Sequence, residues 1–156
     1  MLKPLVFVIA VGIGIGLLLP SGHHVQAAAA TATTDEPQET VLERHNNGHF
    51  YVDATVNGHS VPFVVDTGAS MVALTEDDAR TAGIQFDESE FEPVARSASG
   101  IVYGKEIYLD VVDVEGKRVS HVDAVVARDL DVSLLGQTYL ARIGSVQMNG
   151  DYMRLN

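Results

Sequence analysis

The chain has 156 residues, 46% of them hydrophobic, and a formal net charge of −11 at pH 7. This length and apolar content suffice for one folded domain with a core, and they exclude a globally disordered chain. The absence of cysteine excludes disulfides, zinc fingers and thiol catalysis. The excess of acidic residues argues against nucleic acids and anionic lipid surfaces as partners.

Residues 1–27 have the layout of a secretory signal peptide or an N-terminal membrane anchor. Lys3 precedes the apolar residues 5–19, and Val25-Gln26-Ala27 provides small or aliphatic side chains for cleavage. The apolar segment is short for a membrane span, which needs roughly 20 residues, so both alternatives stay open. Lys3 favours the cytoplasmic side. We therefore expect an exported, periplasmic protein that is either soluble or anchored to the inner membrane by residues 5–19.

Residues 28–39 are rich in Ala and Thr, show no apolar periodicity, and are predicted to form a flexible linker. The folded domain is expected to span residues 40–156. The adjacent His23 and His24 have no evident third ligand, so we predict neither a metal site nor a cofactor.

The domain is predicted to consist of short strands separated by glycine-containing turns. Asn57-Gly58 is typical of a two-residue hairpin, and Pro62 indicates a sheet edge or a bulge. A short helix is expected between the cap Thr75 and the stop Gly83, and a second over residues 137–142. The pattern predicts an all-β, barrel-like domain with one or two short helices. Its strands are expected at residues 49–56, 59–65, 71–74, 92–96, 101–114, 118–126, 132–136, 145–148 and 152–155.

The stretch Asp66-Thr67-Gly68-Ala69-Ser70 lies between two apolar strands. An isolated buried carboxylate is costly, so this position indicates a carboxylate at the tip of a rigid loop. Gly68 permits a tight turn, and the hydroxyls of Thr67 and Ser70 can hydrogen-bond a carboxylate or the backbone. The alternative is an Asx-type turn, in which Asp66 bonds only to its own backbone.

The order of apolar strand, Asp-Thr-Gly-Ala-Ser, short helix, hairpin and apolar-apolar-Gly resembles the retropepsin-like aspartic proteases, in particular the bacterial exported or membrane-anchored single-domain members. The resemblance covers roughly His49 to the C-terminus and implies the retropepsin-like acid protease barrel. It implies that Leu134-Leu135-Gly136 packs behind the aspartate loop. It also places a substrate-binding flap tip at Ser97-Ala98-Ser99-Gly100, which is only similar to the family's usual Thr-Ala-Asn-Gly.

The chemistry of this family needs two carboxylates that face each other across one water molecule. Like charges at that distance cannot both ionise easily, so the pair shares one proton. The chain has one Asp-Thr-Gly and no Asp-Ser-Gly. The resemblance therefore implies a homodimer to which each copy contributes Asp66.

The resemblance also implies roles for the neighbours of Asp66. Thr67 would brace the two loops across the axis, Gly68 would allow the turn, and Ser70 would support Asp66. The terminal strand Tyr152–Leu155 is expected to help form the dimer sheet. The loop support is thus assigned to Thr67, Gly68, Ala69 and Ser70.

The function implied by the resemblance is an aspartic endopeptidase that cleaves peptides or unfolded proteins. No nucleic acid partner is expected, and the membrane is contacted only through an uncleaved N-terminal segment. Two alternatives stay open. One is a non-catalytic barrel that binds peptides in the same cleft, and the other is a structural envelope domain whose Asp66 loop only caps a turn.

Overall fold

The computed structural model describes residues 37–97 and 100–156. These residues contain ten β-strands and two short α-helices. The predicted leader, most of the linker, and the flap residues Ala98 and Ser99 lie outside these residues. The described part contains no helix that combines the length and apolar character needed to span a membrane. The strands are β1 (Thr40–Glu43), β2 (Tyr51–Val56), β3 (His59–Val65), β4 (Val72–Leu74), β5 (Glu92–Ser97), β6 (Gly100–Val114), β7 (Lys117–Ala127), β8 (Ser133–Leu135), β9 (Val146–Asn149) and β10 (Tyr152–Leu155), and the helices are α1 (Glu76–Thr81) and α2 (Gln137–Leu140).

Six of the strands close into a barrel. The larger sheet has the order β2-β3-β8-β4-β7-β6-β5, and an additional pairing of β2 with β6 joins its two sides. That pairing places Thr55 opposite Asp113 and Val56 opposite Val112. The predicted all-β, barrel-like fold with two short helices is therefore confirmed.

The hairpin between β2 and β3 forms as the sequence predicts. Asn57 and Gly58 have φ angles of 50° and 90°, the left-handed pair that a type I′ turn requires. Pro62 pairs with Asp53 on β2, and on its other side the pairing of β3 with β8 begins only at Phe63. Pro62 thus lies where no second strand needs the N–H that proline lacks.

The first helix is capped and stopped at the predicted residues. The Thr75 hydroxyl accepts a hydrogen bond of 3.0 Å from the Asp78 backbone N–H, and Gly83 follows the helix with a φ of 74°. The Asp78 carboxylate is half-buried and accepts a 2.5 Å hydrogen bond from the Ser133 hydroxyl. This bond fastens α1 to β8.

A second, three-stranded sheet has the order β1-β10-β9. The sequence analysis did not predict β1, in which Thr40 lies opposite Leu155. The strand Tyr152–Leu155, which we expected to help form a dimer sheet, lies in the middle and has β1 on one side and β9 on the other. Both of its edges are therefore occupied within one chain, and the outer edges of this sheet belong to β1 and β9.

Tyr139 on α2 is the largest of the fully buried side chains and is 0% exposed. Its hydroxyl donates a 2.6 Å hydrogen bond to the backbone carbonyl of Lys117. This burial raises the pKa of Tyr139 above its ordinary value of 10.0, because the charged phenolate is poorly solvated in the core.

We expect Tyr139→Phe to destabilise the fold by about 1–2 kcal/mol at pH 7, because the Lys117 carbonyl loses its partner. The unfolded wild-type chain releases the tyrosine proton near pH 10 and the folded chain does not. Wild-type stability therefore falls above pH 10 by up to about 1.4 kcal/mol per pH unit. The phenylalanine variant lacks this loss, so the difference in stability should close near pH 11. Urea unfolding at pH 7, 10 and 11 measures it, and a constant difference across this range would contradict the assignment.

Candidate active site

The loop from Asp66 to Met71 connects β3 to β4, and β8 lies between these two strands. β3 runs parallel to β8, with Val65 opposite Leu135, and β4 runs antiparallel to it, with Ala73 opposite Leu134. The chain segments before and after the loop are thus paired with the same central strand. The sheet fixes the base of the loop on both sides.

Hydrogen bonds continue from this base into the loop itself. The Asp66 N–H donates to the Leu135 carbonyl at 3.1 Å, and the Gln137 N–H donates to the Ala69 carbonyl at 2.9 Å. The Gln137 side-chain amide donates to the Thr67 carbonyl at 2.8 Å. The structure therefore places Leu134-Leu135-Gly136 directly against the aspartate loop, and the loop backbone is held along most of its length.

The loop passes so close to Gly136 that no side chain fits there. A Cβ built on Gly136 would lie 2.2 Å from the Met71 carbonyl oxygen and 2.9 Å from that of Ala69. The first distance is far shorter than a carbon atom tolerates, and the second is also too short for an ordinary van der Waals contact. Glycine at this position is therefore a packing requirement of the loop.

The Asp66 carboxylate is partly exposed and faces a cavity. Its Oδ1 accepts a 2.9 Å hydrogen bond from the Gly68 N–H, so the Asx-type turn considered from the sequence is part of the loop. Gly68 does not have a left-handed φ, so a special backbone conformation does not explain the glycine. Its constraint is proximity, since a Cβ would lie 3.3 Å from Asp66 Oδ1.

Two other residues of the loop, Thr67 and Ser70, carry hydroxyl groups. Thr67 and Ser70 are exposed, and within the described residues no hydrogen bond joins the Ser70 hydroxyl to Asp66. The support that we expected from Ser70 therefore stays a prediction. Thr67 contributes its carbonyl to the contact with Gln137 and presents its hydroxyl side to the surface.

A hairpin formed by β5 and the first half of β6 lies across the cavity from the loop. Arg96 pairs with Ile101, and Ser97 pairs with Gly100, which has a φ of 134°. The predicted tip residues Ala98 and Ser99 lie outside the described residues. The cavity between the hairpin and the loop has a volume of about 880 Å³, and its lining includes Asp66, Ser70, Leu134, Arg96, Ile101 and Tyr103.

The sequence matches the family of gag-polyprotein putative aspartyl proteases over residues 52–142, more than half of the chain. The chain belongs to this family. The matched residues run from β2 to the residues just after α2, so they include the Asp66 loop, the hairpin and the Leu134-Leu135-Gly136 segment.

Solved structures place this aspartyl protease family member among retropepsin-like folds. A retropepsin-like aspartic protease from Rickettsia conorii is 34% identical, with a TM-score of 0.65 over 78% of this chain and 91% of that chain. The protease of EIAV in complex with the inhibitor HBY-793 is 18% identical, with a TM-score of 0.52 over 64% of this chain and 91% of that chain; this likeness shows the fold alone. The resemblance to retropepsin-like proteases is therefore confirmed.

Two curated relatives are similar over most of this family member. An uncharacterized protein from a Sinorhizobium species is 36% identical over 130 residues, which are 81% of this chain and 56% of the relative. An uncharacterized protein from Rickettsia prowazekii (strain Madrid E) is 35% identical over 124 residues, 78% of this chain and 52% of the relative. The chain thus spans about half the length of the curated relatives it matches.

Sequence reasoning missed two residues that brace the loop of this retropepsin-like protein. Gln137 holds the Thr67 carbonyl, as described above. The Thr138 hydroxyl accepts from the Val72 N–H at 2.9 Å and donates to the Asp123 carbonyl at 2.7 Å, which joins β4 to β7. The available signal was two polar side chains directly after an apolar-apolar-Gly segment, which we had assigned only to a short helix.

Metal ligands are not grouped in the described part of this retropepsin-like protein. Among residues 37–97 and 100–156, no three His, Asp or Glu side chains are close enough together to hold a metal ion.

Proposed function

We propose that this retropepsin-like protein is an aspartic endopeptidase that acts as a homodimer, with one water molecule held between the two Asp66 carboxylates. The observation that carries the proposal is the position of Asp66: its carboxylate lies at the tip of a loop braced by β8 and α2 and faces a cavity of about 880 Å³. A fixed carboxylate beside a cleft is the arrangement that general acid–base catalysis requires.

In the proposed reaction the ionised Asp66 takes a proton from the water, and the water oxygen attacks the scissile carbonyl carbon. The protonated Asp66 of the second copy donates its proton to the carbonyl oxygen. The C–N bond then breaks as the amide nitrogen takes up a proton from the carboxyl pair. One hydroxyl of the tetrahedral intermediate returns a proton to the pair as it becomes the carbonyl of the new acid. One chain carries one such aspartate, so the second carboxylate comes from the other copy.

The substrate proposed is an extended peptide, or an unfolded segment of a protein. β5 is the last strand of the larger sheet, so its outer backbone edge has no partner strand in the described chain. An extended peptide lying between this hairpin and the Asp66 loop would gain backbone hydrogen bonds along such an edge. A folded substrate would not present its backbone in that way.

We also propose that the protein is exported, because Lys3 and the apolar residues 5–19 form the pattern that directs a chain across a membrane. Fractionation of cells that produce the full chain tests this step separately. Recovery in the cytoplasmic fraction alone would refute export and leave the proposed catalysis standing.

The dimer is tested by mixing active chains with inactive chains. Wild-type protein combined with about a ninefold excess of Asp66→Asn chains should keep only about a tenth of its activity on a denatured protein, because most wild-type chains then have an inactive partner. Dilution of the wild type should also lower its specific activity.

The matched control for this mixture is the same excess of Asp151→Asn chains, which carry an Asp→Asn change on an exposed residue in the turn between β9 and β10. Because these chains keep Asp66, the mixture should be more active than the wild-type protein alone. Wild-type activity that is unaffected by Asp66→Asn chains and independent of dilution would rule out a shared site.

A further inference from the structure

The charges that line the cleft differ from those of the chain as a whole. The sequence has 21 acidic and 10 basic residues, without counting histidine. The cleft is lined instead by two carboxylates, Asp66 and Asp129, and two guanidinium groups, Arg96 and Arg128. Positive charge is therefore concentrated at the cleft relative to the remaining surface.

Arg96 is exposed on β5 and has a free side chain. Within residues 37–97 and 100–156, no ion pair and no side-chain hydrogen bond joins its guanidinium to another residue. Among the other described Lys and Arg side chains, those of Arg44, Arg80, Lys105 and Arg154 each contact a carboxylate. The five N–H donors of Arg96 are thus available to a molecule that enters the cleft.

The backbone just before Arg96 is irregular, and this irregularity affects the direction of the Arg96 side chain. The register between β5 and β6 shifts between Pro93 and Ala95, and such bulges re-aim the side chains that follow them. After the bulge Arg96 pairs with Ile101, which is 50% exposed and lines the same cavity. Arg96 and Ile101 therefore lie opposite each other on the hairpin, and both line the cavity.

Arg128 adds a second positive charge that is fixed in position. Its guanidinium donates a 3.1 Å hydrogen bond to the Glu88 carbonyl and lies 4.9 Å from the centre of the Phe91 ring. Neither contact neutralises its charge, and no carboxylate of the described residues pairs with it. The neighbouring Asp129 is exposed and has a φ of 56°. Its negative charge opposes the positive charge of Arg128.

We propose that Arg96, with Arg128 lining the same cleft, makes the enzyme select peptides that carry an Asp or Glu side chain close to the scissile bond. Guanidinium binds carboxylate through paired, charge-assisted hydrogen bonds, and a lysine at the same place would be repelled. This inference rests on the proposed endopeptidase activity and specifies the substrate class for it.

The test uses the full-chain protein and a denatured protein substrate whose cut sites are mapped by mass spectrometry. Peptide pairs are then built on one mapped site with identical composition. In one peptide Glu lies near the cut and Gln at the far end, and in the other the two are exchanged. Equal net charge cancels the general repulsion of an acidic enzyme, and pH 6 keeps the glutamate ionised.

Wild-type kcat/KM should be about tenfold higher when Glu lies near the cut, as expected for one exposed charge-assisted contact. Arg96→Gln should remove this preference, and Arg96→Glu should transfer it to a peptide with Lys near the cut. Arg118→Gln is the matched control, because Arg118 is an exposed arginine without a side-chain partner in the described chain and does not line the cleft. It should keep the tenfold preference.

Three outcomes contradict the inference in distinguishable ways. An active wild type that cuts both peptides of a pair equally refutes charge selection and leaves the protease assignment standing. If Arg96→Gln lowers kcat/KM equally on both peptides, Arg96 supports the hairpin and does not select substrates by their charge. Failure of the wild type to cut the denatured protein or any peptide refutes the protease assignment, and charge selection falls with it.

Discussion

Asp66→Asn is expected to reduce peptide hydrolysis by about 1,000-fold or more while leaving the fold intact. Asparagine can neither take a proton from water nor supply one to the carbonyl, and general acid–base catalysis alone contributes roughly 10²- to 10⁴-fold. The substitution removes the carboxylate from both halves of the dimer at once. The measurement is kcat/KM on a denatured protein or a mapped peptide at about pH 4 to 6.

The fold should tolerate this change because asparagine has nearly the shape of aspartate. Its side-chain oxygen can still accept from the Gly68 N–H, as Asp66 Oδ1 does at 2.9 Å. The bonds from the loop backbone to Leu135 and Gln137 do not involve the carboxylate. The free energy of unfolding should therefore change by no more than about 0.5 kcal/mol.

The control is Asp110→Asn, which alters an exposed aspartate on β6 that does not line the cleft and should retain full activity. If Asp66→Asn keeps its activity, the carboxylate is not catalytic. If it instead loses stability and binds peptides as before, the loop serves as a structural turn, which is the alternative that the sequence left open.

The second large effect is expected from Gly136→Ala. The added methyl group would overlap the Met71 carbonyl oxygen, 2.2 Å from the Cβ position, and press on that of Ala69 at 2.9 Å. Overpacking of a well-packed site commonly costs about 1–3 kcal/mol. We expect about 3 kcal/mol or more here, since both contacts are with backbone that is already hydrogen-bonded.

The same substitution should also impair catalysis, because relief of the overlap must move the loop that carries Asp66. Displacement of a catalytic group by about 1 Å can lower the rate roughly 100-fold. Urea unfolding and kcat/KM measured on the same preparation test both effects.

Gly150→Ala is a suitable control for Gly136→Ala. Gly150 lies in the turn between β9 and β10 with open space around it and a φ of 59°. It should cost about 1 kcal/mol through its left-handed backbone and leave activity unchanged. If the two variants had equal effects on stability and activity, the aspartate loop would accommodate the added methyl group, and Gly136 would not be a packing requirement.

The features that the sequence predicted depend on neighbouring residues. The Asn57-Gly58 turn, the Thr75 cap and the Gly83 stop each follow from local backbone preferences, and all three form. The Asp66 loop was recognised because a short motif between two apolar strands marks it. Such signals lie within a few residues and need no knowledge of the rest of the fold.

The features that were missed depend on pairing between distant parts of the chain. β1 has only four residues, and it forms a strand because it pairs with β10, which is distant in the sequence. That same pairing explains why Tyr152–Leu155 is an inner strand and not a free edge. Thr138 gained its importance only because the fold brings Val72 and Asp123 to its hydroxyl. No local pattern encodes these approaches.

The insertion of β8 between β3 and β4 has a consequence for biosynthesis. Residues 133–135 follow β5, β6 and β7 in the sequence, and the two segments around Asp66 have no common partner until these residues are made. In a nascent chain the segments on either side of Asp66 therefore lack their shared partner until β8 has been synthesised. The carboxylate that we propose as catalytic is therefore fixed in place late in folding, after β5, β6 and β7 have been made.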